Sequence, residues 1–589
     1  MEETYDVVVV GGGAAGLSGA LALLRARRSV LVVDAGEPRN ARAGHVHNYL
    51  TREGAAPADL VATGRDEVTG YGGLVVAGRV GRVAKDGDGF TVDVDVALDA
   101  EAGAKAEIEG LTESSGLAGH GGVRTVRARR LLVATGLVDR VPEVPGLAER
   151  WGRDVLHCPY CHGWEVRDRR IGILATGPLS WHQAELWRQW SPDVVVLLHG
   201  APGPDSEQAE RLAARGIVVV DGPVVGLELA DAEAPGDAPG LDAPGGDLLT
   251  AGVSSGDVLT GVQLASGESV GVDALVVAAP VAARSEVLES LGLEPVDVEF
   301  GGHVVGSRIP ADATGATAVP GVWVAGNVTD VQAQVVTAAA AGLKAGAAIN
   351  ADLIAQETRD AVDAYRDQVR VMLAQEAWEE RYRSRPALWS GRPNPQLVAE
   401  ATGLTPGHAL DVGCGEGADA IWLAERGWRV TAVDLSTVAL ERAAGHAAAA
   451  GPQLAARIEW THADLRDQPP AAGSYDLVTA QFMHLPGPAR RDLFAGLAAA
   501  VAPGGTLLIV GHHPSDLRTA AGPRLFPDML FTAQEVADAL DPGTWEVLVA
   551  ETRERTGADR DGNTVTVRDA VVVAHRRAAD SGTAAGTAA

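Results

Sequence analysis

A chain of 589 residues is too long for one core, and at about 100 to 200 residues per domain it reads as three or four domains. Its 46% hydrophobic and 22% charged residues are those of a soluble globular protein, and a formal charge of −29 argues against nonspecific binding to nucleic-acid phosphates. The acidic start MEETYDVVVV lacks a signal peptide's basic region, and no apolar run reaches the roughly 18 residues of a membrane span, so a cytoplasmic protein without a membrane partner is expected.

Residues 5–36, YDVVVVGGGAAGLSGALALLRARRSVLVVDAG, predict a buried strand, a glycine turn, a helix and a second buried strand ending at Asp34. Within that βαβ unit Gly11, Gly13 and Gly16 form GxGxxG, and an acid follows at the spacing a dinucleotide site uses. Glycines permit the tight turn and the close approach of backbone to a pyrophosphate facing the helix N-terminus, while the carboxylate suits ribose hydroxyls. A plain glycine-rich turn is the alternative, disfavoured because strand, helix and acid are all in register. A strand-rich stretch follows at 74–96, then a polar segment at 97–123 read as a surface insertion, then RARRLLVATG (127–136), a buried strand ending in a second glycine turn.

HCPYCHGWE (157–165) holds two of the chain's three cysteines. In a reducing compartment a structural disulfide is improbable, so the CxxC spacing points to redox chemistry or a metal. A zinc site needs four ligands, and there is no second CxxC. His157 and His162 flank the pair, but adjacent histidines could not share a tetrahedral ion with these cysteines without strain, so no metal is expected. Dithiol/disulfide chemistry at Cys158 and Cys161 is the favoured reading. His162 could move protons at neutral pH or, when charged, lower a neighbouring thiol pKa; an ordinary surface histidine is the alternative. A strand, helix and strand follow over 170–198, and 231–247 reads as a disordered loop. Residues 321–354 then return to a strand, a turn and a long helix of small residues, and 355–377 read as a charged helical linker. A third α/β pattern occupies 378–577, where Asp411, Gly413, Gly415 and Gly417 close a buried strand and Asp434 ends the next, before a loose tail at 578–589.

Residues 4–354 resemble the low-molecular-weight thioredoxin reductase family of flavoproteins through GGGAAG, HNYL (47–50), LLVATG (131–136), the CxxC and GVWVAGNVTD (321–330). The resemblance implies an α/β fold with an FAD-binding domain split into 1–142 and 276–354 around an inserted NAD(P)-binding-like domain, 143–275. It implies FAD contacts from Gly11, Gly13, Gly16, Asp34, Asn48, Thr135, Gly136, Gly326 and Asn327, the last standing where the family has aspartate. It makes Cys161 the flavin-facing sulfur and Cys158 the one that exchanges with a small dithiol or a thioredoxin-like protein, and puts His162 in place of the family's proton-transferring acid. Relatives are usually dimers. The family's second nucleotide turn, for NADPH, falls on Ala175, Thr176, Gly177, Pro178, Leu179 and Ser180, where one glycine survives and proline removes a donor at the helix start. That leaves NADPH uncertain, and is similar to a branch of dithiol oxidases that close disulfides in natural products such as gliotoxin and holomycin and pass electrons to oxygen.

Residues 378–577 resemble class I S-adenosylmethionine-dependent methyltransferases, a Rossmann-like fold, through ALDVGCGEG, VTAVDLS, HADLRD, YDLVTAQFMHL and VAPGGTLLIV in that order. The resemblance implies cofactor contacts from Asp411, Gly413, Gly415, Gly417, Asp434 and, near the adenine, Asp464. Cys414 is then a small residue of the turn. His484, His512 and His513 are candidate bases toward a small-molecule acceptor, with a thiol as the working guess, although loop or core roles are the plainer reading. WEERYRSRPALWSGRPN (378–394) is similar to the segment that covers the cofactor in thiopurine-type methyltransferases. The expectation is a bifunctional fusion of a dithiol/disulfide oxidoreductase and a methyltransferase. The alternatives are an NADPH-dependent thioredoxin reductase in the first half, or a flavin-binding regulator without redox chemistry.

Overall fold

The computed structural model describes residues 3–96, 122–231, 257–518, 526–558 and 563–578, in two compact units, 1–359 and 360–589. Most of the predicted insertion at 97–123 and of the loop at 231–247, and the tail beyond 578, lie outside the described residues; Gly122 and Val123 open a strand. No helix among the described residues is long and apolar enough to cross a membrane.

The first unit is built on β1 (Thr4–Val10), α1 (Ala14–Arg25), β2 (Val30–Asp34), β3 (Leu74–Asp86), β4 (Gly89–Val96) and β5 (Gly122–Val133). β3, β2, β1 and β5 run parallel in that spatial order, and Val322–Val324 adds a parallel strand beyond β5. The antiparallel β4 joins β3 back to β5. The continuous apolar runs arise because both faces of this sheet are covered. Alternate residues of β1 and β2 enter different cores: Val8, Val10, Leu31 and Val33 on one face, Val7, Val9, Val30 and Val32 on the other.

A second parallel sheet holds β6 (Val155–Leu156), β7 (Ile171–Leu174), β8 (Val194–Leu197), β9 (Val218–Val220) and β10 (Ala274–Val277), in the order β9-β8-β7-β10-β6. The helix Val335–Leu373 runs without a break through the stretch expected to start a linker at 355. Its small residues serve a backbone-to-backbone crossing with α1: a Cβ on Gly342 would stand 1.9 Å from the Ala15 carbonyl oxygen, and one on Gly346 would stand 2.7 Å from that of Gly19.

The second unit is a seven-stranded sheet of β11 (His408–Val412), β12 (Arg429–Asp434), β13 (Ile458–His462), β14 (Tyr475–Gln481), β15 (Val501–His512), β16 (Trp545–Ala558) and β17 (Thr564–Arg576). Their order is β13-β12-β11-β14-β15-β17-β16, and β17 runs antiparallel to both neighbours. β11 and β14 lie side by side and parallel, and the order of strand addition reverses between them, so a crevice opens at the carboxyl ends of those strands.

Replacing Gly342 by alanine would gain up to about 1 kcal/mol of helix propensity. The overlap with a main-chain oxygen cannot be relieved by a rotamer change, and overpacking of this kind costs about 1–3 kcal/mol. Gly342→Ala is expected to lower the thermal midpoint of the first unit, whereas Leu343→Ala, at an exposed neighbour, leaves it unchanged; calorimetry on both variants checks this.

Candidate active sites

A cavity of about 660 Å³ opens at the carboxyl ends of β1, β2 and β5 in the first unit, a size common for ligand sites. Gly11 lies on its wall with φ +107°, and a Cβ there would stand 2.5 Å from the Ala134 oxygen. Gly16 is behind the wall: its missing side chain lets α1 sit on the Gly11 carbonyl, which a Cβ would meet at 1.9 Å. Gly13 is different, because a Cβ there would meet no protein atom and would project into open space beside the cavity. Bareness at that position answers to whatever lies against the turn, as a pyrophosphate would. Asp34 reaches the wall and accepts from the Gly36 amide at 3.0 Å and from Arg65. Thr135, Gly136, Gly326 and Asn327 complete the expected set on the wall.

Asn48 does not line the cavity. It occupies a left-handed turn position (φ 60°) and its Nδ2 donates to the Tyr160 carbonyl at 2.6 Å, which ties the 46–55 loop to the CxxC turn. Asn327 donates from Nδ2 to the carbonyls of Asp330 and Ala333, both at 3.0 Å. An aspartate could not make either bond, so asparagine here has a local structural reason.

The sulfurs of Cys158 and Cys161 are 2.9 Å apart on the turn Pro159–His162 that follows β6, and both residues are half-buried free thiols. Cys161 lines the cavity; Cys158 stands behind it. The hydrogen bond from Cys161 is the main cause that lowers the Cys158 thiol to about 7, with help from the Cys161 and Tyr160 amides and the Arg39 charge, against burial. The same bond, together with burial, pushes the Cys161 thiol up. Above about pH 7 the pair therefore holds one proton between two sulfurs.

His162 also faces the cavity, but burial, then His47, brings it down to about 4. It is uncharged at neutral pH, so the expectation that its charge lowers the thiol pKa gives way to Arg39. That guanidinium forms a bidentate pair with Asp139 at 2.9 and 2.6 Å and donates to His157 Nε2 at 3.2 Å. His157, stacked on Trp151, is likewise lowered to about 4, first by burial and then by Arg39. His47 lies on the same wall between Glu53 (2.6 Å from Nδ1) and Glu165 (3.3 Å from Nε2). Sequence reasoning assigned no role to Arg39, His47, Glu53 or Glu165, although His47 is the first residue of the HNYL match.

At the degraded second turn Ser180 is fully buried, and its hydroxyl accepts from the Thr176 amide at 3.1 Å. Thr176 donates its own hydroxyl to the Ala278 carbonyl at 3.0 Å, and His199 beyond β8 accepts the Val224 amide at 3.0 Å.

In the second unit Asp434 accepts from the amides of Gly415 and Ser436, each at 2.8 Å. Asp411 is buried and its Oδ2 finds no partner among the described residues. Burial, then the charges of Asp419 and Asp434, pushes Asp411 well up; burial raises Asp419 to about 6 and also raises Asp434. One buried and two half-buried acids, with an orphaned oxygen on the buried one, fit a cationic ligand, as a sulfonium amino acid is. The segment 378–394 lies over this glycine turn: the Leu388 and Trp389 amides donate to Glu416, Arg442 pairs with Glu416 at 2.9 Å, and the Asn394 amide donates to Asp419 at 2.6 Å. Asp464 is held in an ion pair by Arg466 at 2.5 Å. Cys414 is buried and its thiol is pushed up by that burial.

Of the three candidate histidines, His484 accepts the His512 amide at 3.0 Å and bonds to the Phe482 backbone, so both ring nitrogens are used. His513 Nδ1 meets the Ser515 hydroxyl at 2.8 Å and accepts the Ser515 amide at 3.2 Å. His512 stacks on His484 at 4.9 Å and keeps a buried Nδ1 that finds no partner among the described residues. Burial brings His484 to about 3 and His512 to about 4, so both rings are neutral.

Comparisons with known proteins agree with this division. Residues 5–234 match the family of pyridine nucleotide-disulphide oxidoreductases, and residues 409–505 match a methyltransferase domain. The thioredoxin reductase tcpT of Claviceps purpurea (strain 20.1) is 32% identical over 294 residues, 49% of this chain and 78% of that protein. The thioredoxin reductase sirT of Leptosphaeria maculans is 27% identical over 364 residues, 59% of this chain and 93% of that protein. The crystal structure of HlmI is 37% identical, covers 62% of this chain and 97% of its own, and superposes with a TM-score of 0.50. The chain belongs to the thioredoxin reductase-like pyridine nucleotide-disulphide oxidoreductases and carries a methyltransferase domain fused behind that enzyme.

Proposed function

We propose that the first unit is an FAD-dependent dithiol oxidase working through Cys158 and Cys161, and the second an S-adenosylmethionine-dependent methyltransferase for a small-molecule thiol. The observation that carries the first reading is that Cys161 lines the same cavity as the GxGxxG turn while Cys158 stands 2.9 Å behind it. Gly11, Gly13, Asp34, Thr135, Gly136, Gly326 and Asn327 would hold the cofactor. FAD, when bound, supplies a two-electron acceptor.

In thiol exchange a substrate thiolate attacks Cys158 of the oxidised pair, the Cys158–Cys161 bond breaks, and Cys161 leaves as a thiolate that takes up a proton. The second substrate thiol then attacks the mixed disulfide, the substrate disulfide forms, and Cys158 leaves. Cys158 is suited to leave because it is the more acidic sulfur. Two electrons have then moved from substrate to the cysteine pair.

The plugged second turn favours oxygen over NADPH as the other electron partner, because the Thr176 amide is already taken by Ser180 and Pro178 has no N–H to offer. The runner-up, an NADPH-dependent thioredoxin reductase, rests on the names of the fungal relatives. A physical link between the two units follows from thiol chemistry, since a dithiol is either closed to a disulfide or capped by methylation. In the second unit Asp434 would take the ribose hydroxyls, the buried acids would favour the cofactor's positive charge, and neutral His512 would accept a hydrogen bond from the methyl acceptor.

Anaerobic dithiothreitol is expected to bleach the flavin of the holoenzyme within the mixing experiment and micromolar NADPH to leave it oxidised; Cys161→Ser should abolish the bleaching. Iodoacetamide alkylation of Cys158 in the reduced protein, followed by mass spectrometry, should rise with an inflection near pH 7 and fall about tenfold per pH unit below it. Cys161→Ala, which removes the donor that holds the Cys158 thiolate, should move that inflection upward. Asp434→Asn should weaken S-adenosylmethionine binding about 10- to 100-fold in calorimetry, the loss of one or two charge-assisted hydrogen bonds.

A further inference from the structure

Among the described residues six buried side-chain polar atoms find no partner, and four of them belong to the second unit: Asp411 Oδ2, Gln481 Oε1, His512 Nδ1 and Asp569 Oδ1. They are not scattered. Successive side chains of a strand point to opposite faces, and Ala409, Leu477, Val510 and Val571 enter one core while their neighbours in sequence enter the other. Asp411, Gln481, His512 and Asp569 each lie an even number of positions from that first set. All four therefore share its face, one on each of the adjacent strands β11, β14, β15 and β17. The register sets His512 opposite Asp569, and Asp411 opposite Thr479, two residues before Gln481.

An acceptor covered and left without a donor is costly, and a row of them asks for a partner that brings donors. Two of the four already have a claim on them. Asp411 stands at the glycine turn beside the site for a cationic cofactor, and Asp569 accepts from Arg555 at 2.7 Å through Oδ2, with Gln396 beside it. Gln481 and His512 remain. Gln481 donates from Nε2 to Thr479 Oγ1 at 2.6 Å, which fixes the carboxamide and leaves only its oxygen open. Phe482 follows with a left-handed φ of 58° and donates its amide to the Val510 carbonyl at 2.7 Å. That kink interrupts the alternation and brings the Phe482 ring round to the same core, against His512 at 4.7 Å, while His484 stacks on His512 at 4.9 Å. Three rings and two open acceptors at one strand end suit a flat ligand whose edge carries donors. Gln481 and His512 are half-buried although these two atoms are covered, so the ligand has to part the rings at the rim to reach them.

We propose that Gln481 is the specificity-determining residue of the methyl-acceptor site, and that the acceptor is a thiol with an amide-type N–H at its side: the N–H donates to Gln481 Oε1 and the S–H to His512 Nδ1. A compound of the same shape that offers only acceptors leaves the Gln481 oxygen without a donor and is rejected for that reason. This deepens the methyltransferase reading and rests on it.

The test begins with binding to the flavin-loaded full chain saturated with S-adenosylhomocysteine, followed by ligand-observed NMR. Benzamide and methyl benzoate serve as probes, because neither carries a thiol that could react with the cysteine pair. Benzamide is expected to bind about 10- to 100-fold more tightly, the worth of one hydrogen bond to a covered acceptor. Gln481→Met should remove that preference, and Gln481→Glu, which keeps an acceptor oxygen, should retain it. A residue that only props up the strand end would give the same answer in both variants. Equal binding of the two probes, binding of neither, or variants that both keep or both lose the preference overturn the proposal. Methylation of thiosalicylamide and methyl thiosalicylate with S-adenosylmethionine, under anaerobic conditions, separates the inference from the reading beneath it. Equal rates for the two thiols uphold the methyltransferase and remove the role of Gln481. A Gln481-dependent preference in binding, with neither thiol methylated, leaves the donor-reading site standing and takes the thiol out of the reading.

Discussion

Two sulfurs 2.9 Å apart, with room for one proton between them, are the constraint around which the first unit is arranged. The turn that holds them is too short to do this alone. It is braced from outside by Asn48, whose amide grips the Tyr160 carbonyl, and from the cavity side by Arg39, itself fixed by Asp139. Acidity is thereby divided: the sulfur behind the wall is readily ionised, and the one on the wall keeps the proton. An exchange partner and an electron acceptor would thus meet different sulfurs without any change of fold.

The second unit solves an opposite electrostatic problem. Asp411, Asp419 and Asp434 crowd one buried turn, where desolvation and mutual repulsion oppose their ionisation, and the orphaned Asp411 oxygen leaves part of that cost unrelieved. A cation settling among them would be favoured by terms that act before any specific contact is made. The overlying segment, tied down through Glu416 and Asp419, limits how much water can screen those charges.

Much of this was legible in the sequence wherever information is local. The run from β1 to β2 declares itself by buried strands, glycine spacing and the acid at position 34, because each depends on residues within a few turns of one another. The same holds for Asp411 through Asp434. What sequence could not give is contact through space. Arg39 meets Asp139 at a separation of 100 positions, and His47 meets Glu165 across a still larger gap, with no periodicity to link them. One residue was singled out for the right stretch and the wrong direction: Asn48 turns toward the cysteine loop and not into the cavity. The asparagine at 327 looked like a departure from a family pattern until its two donated bonds gave it a reason of its own.

The crossing of α1 with the helix Val335–Leu373 has a further bearing on how such an enzyme can diverge. Where side chains interlock, a change on one partner can be absorbed by a compensating change on the other, and interfaces drift. At Gly342 and Gly346 the opposing surface is a peptide carbonyl, which no mutation can reshape. Val335 and Ala338, on the first turn of that helix, form part of the cavity wall, so the wall inherits a registration set by main chain. Specificity is free to wander through the loops around the cysteines while the floor beneath a bound cofactor stays where it is.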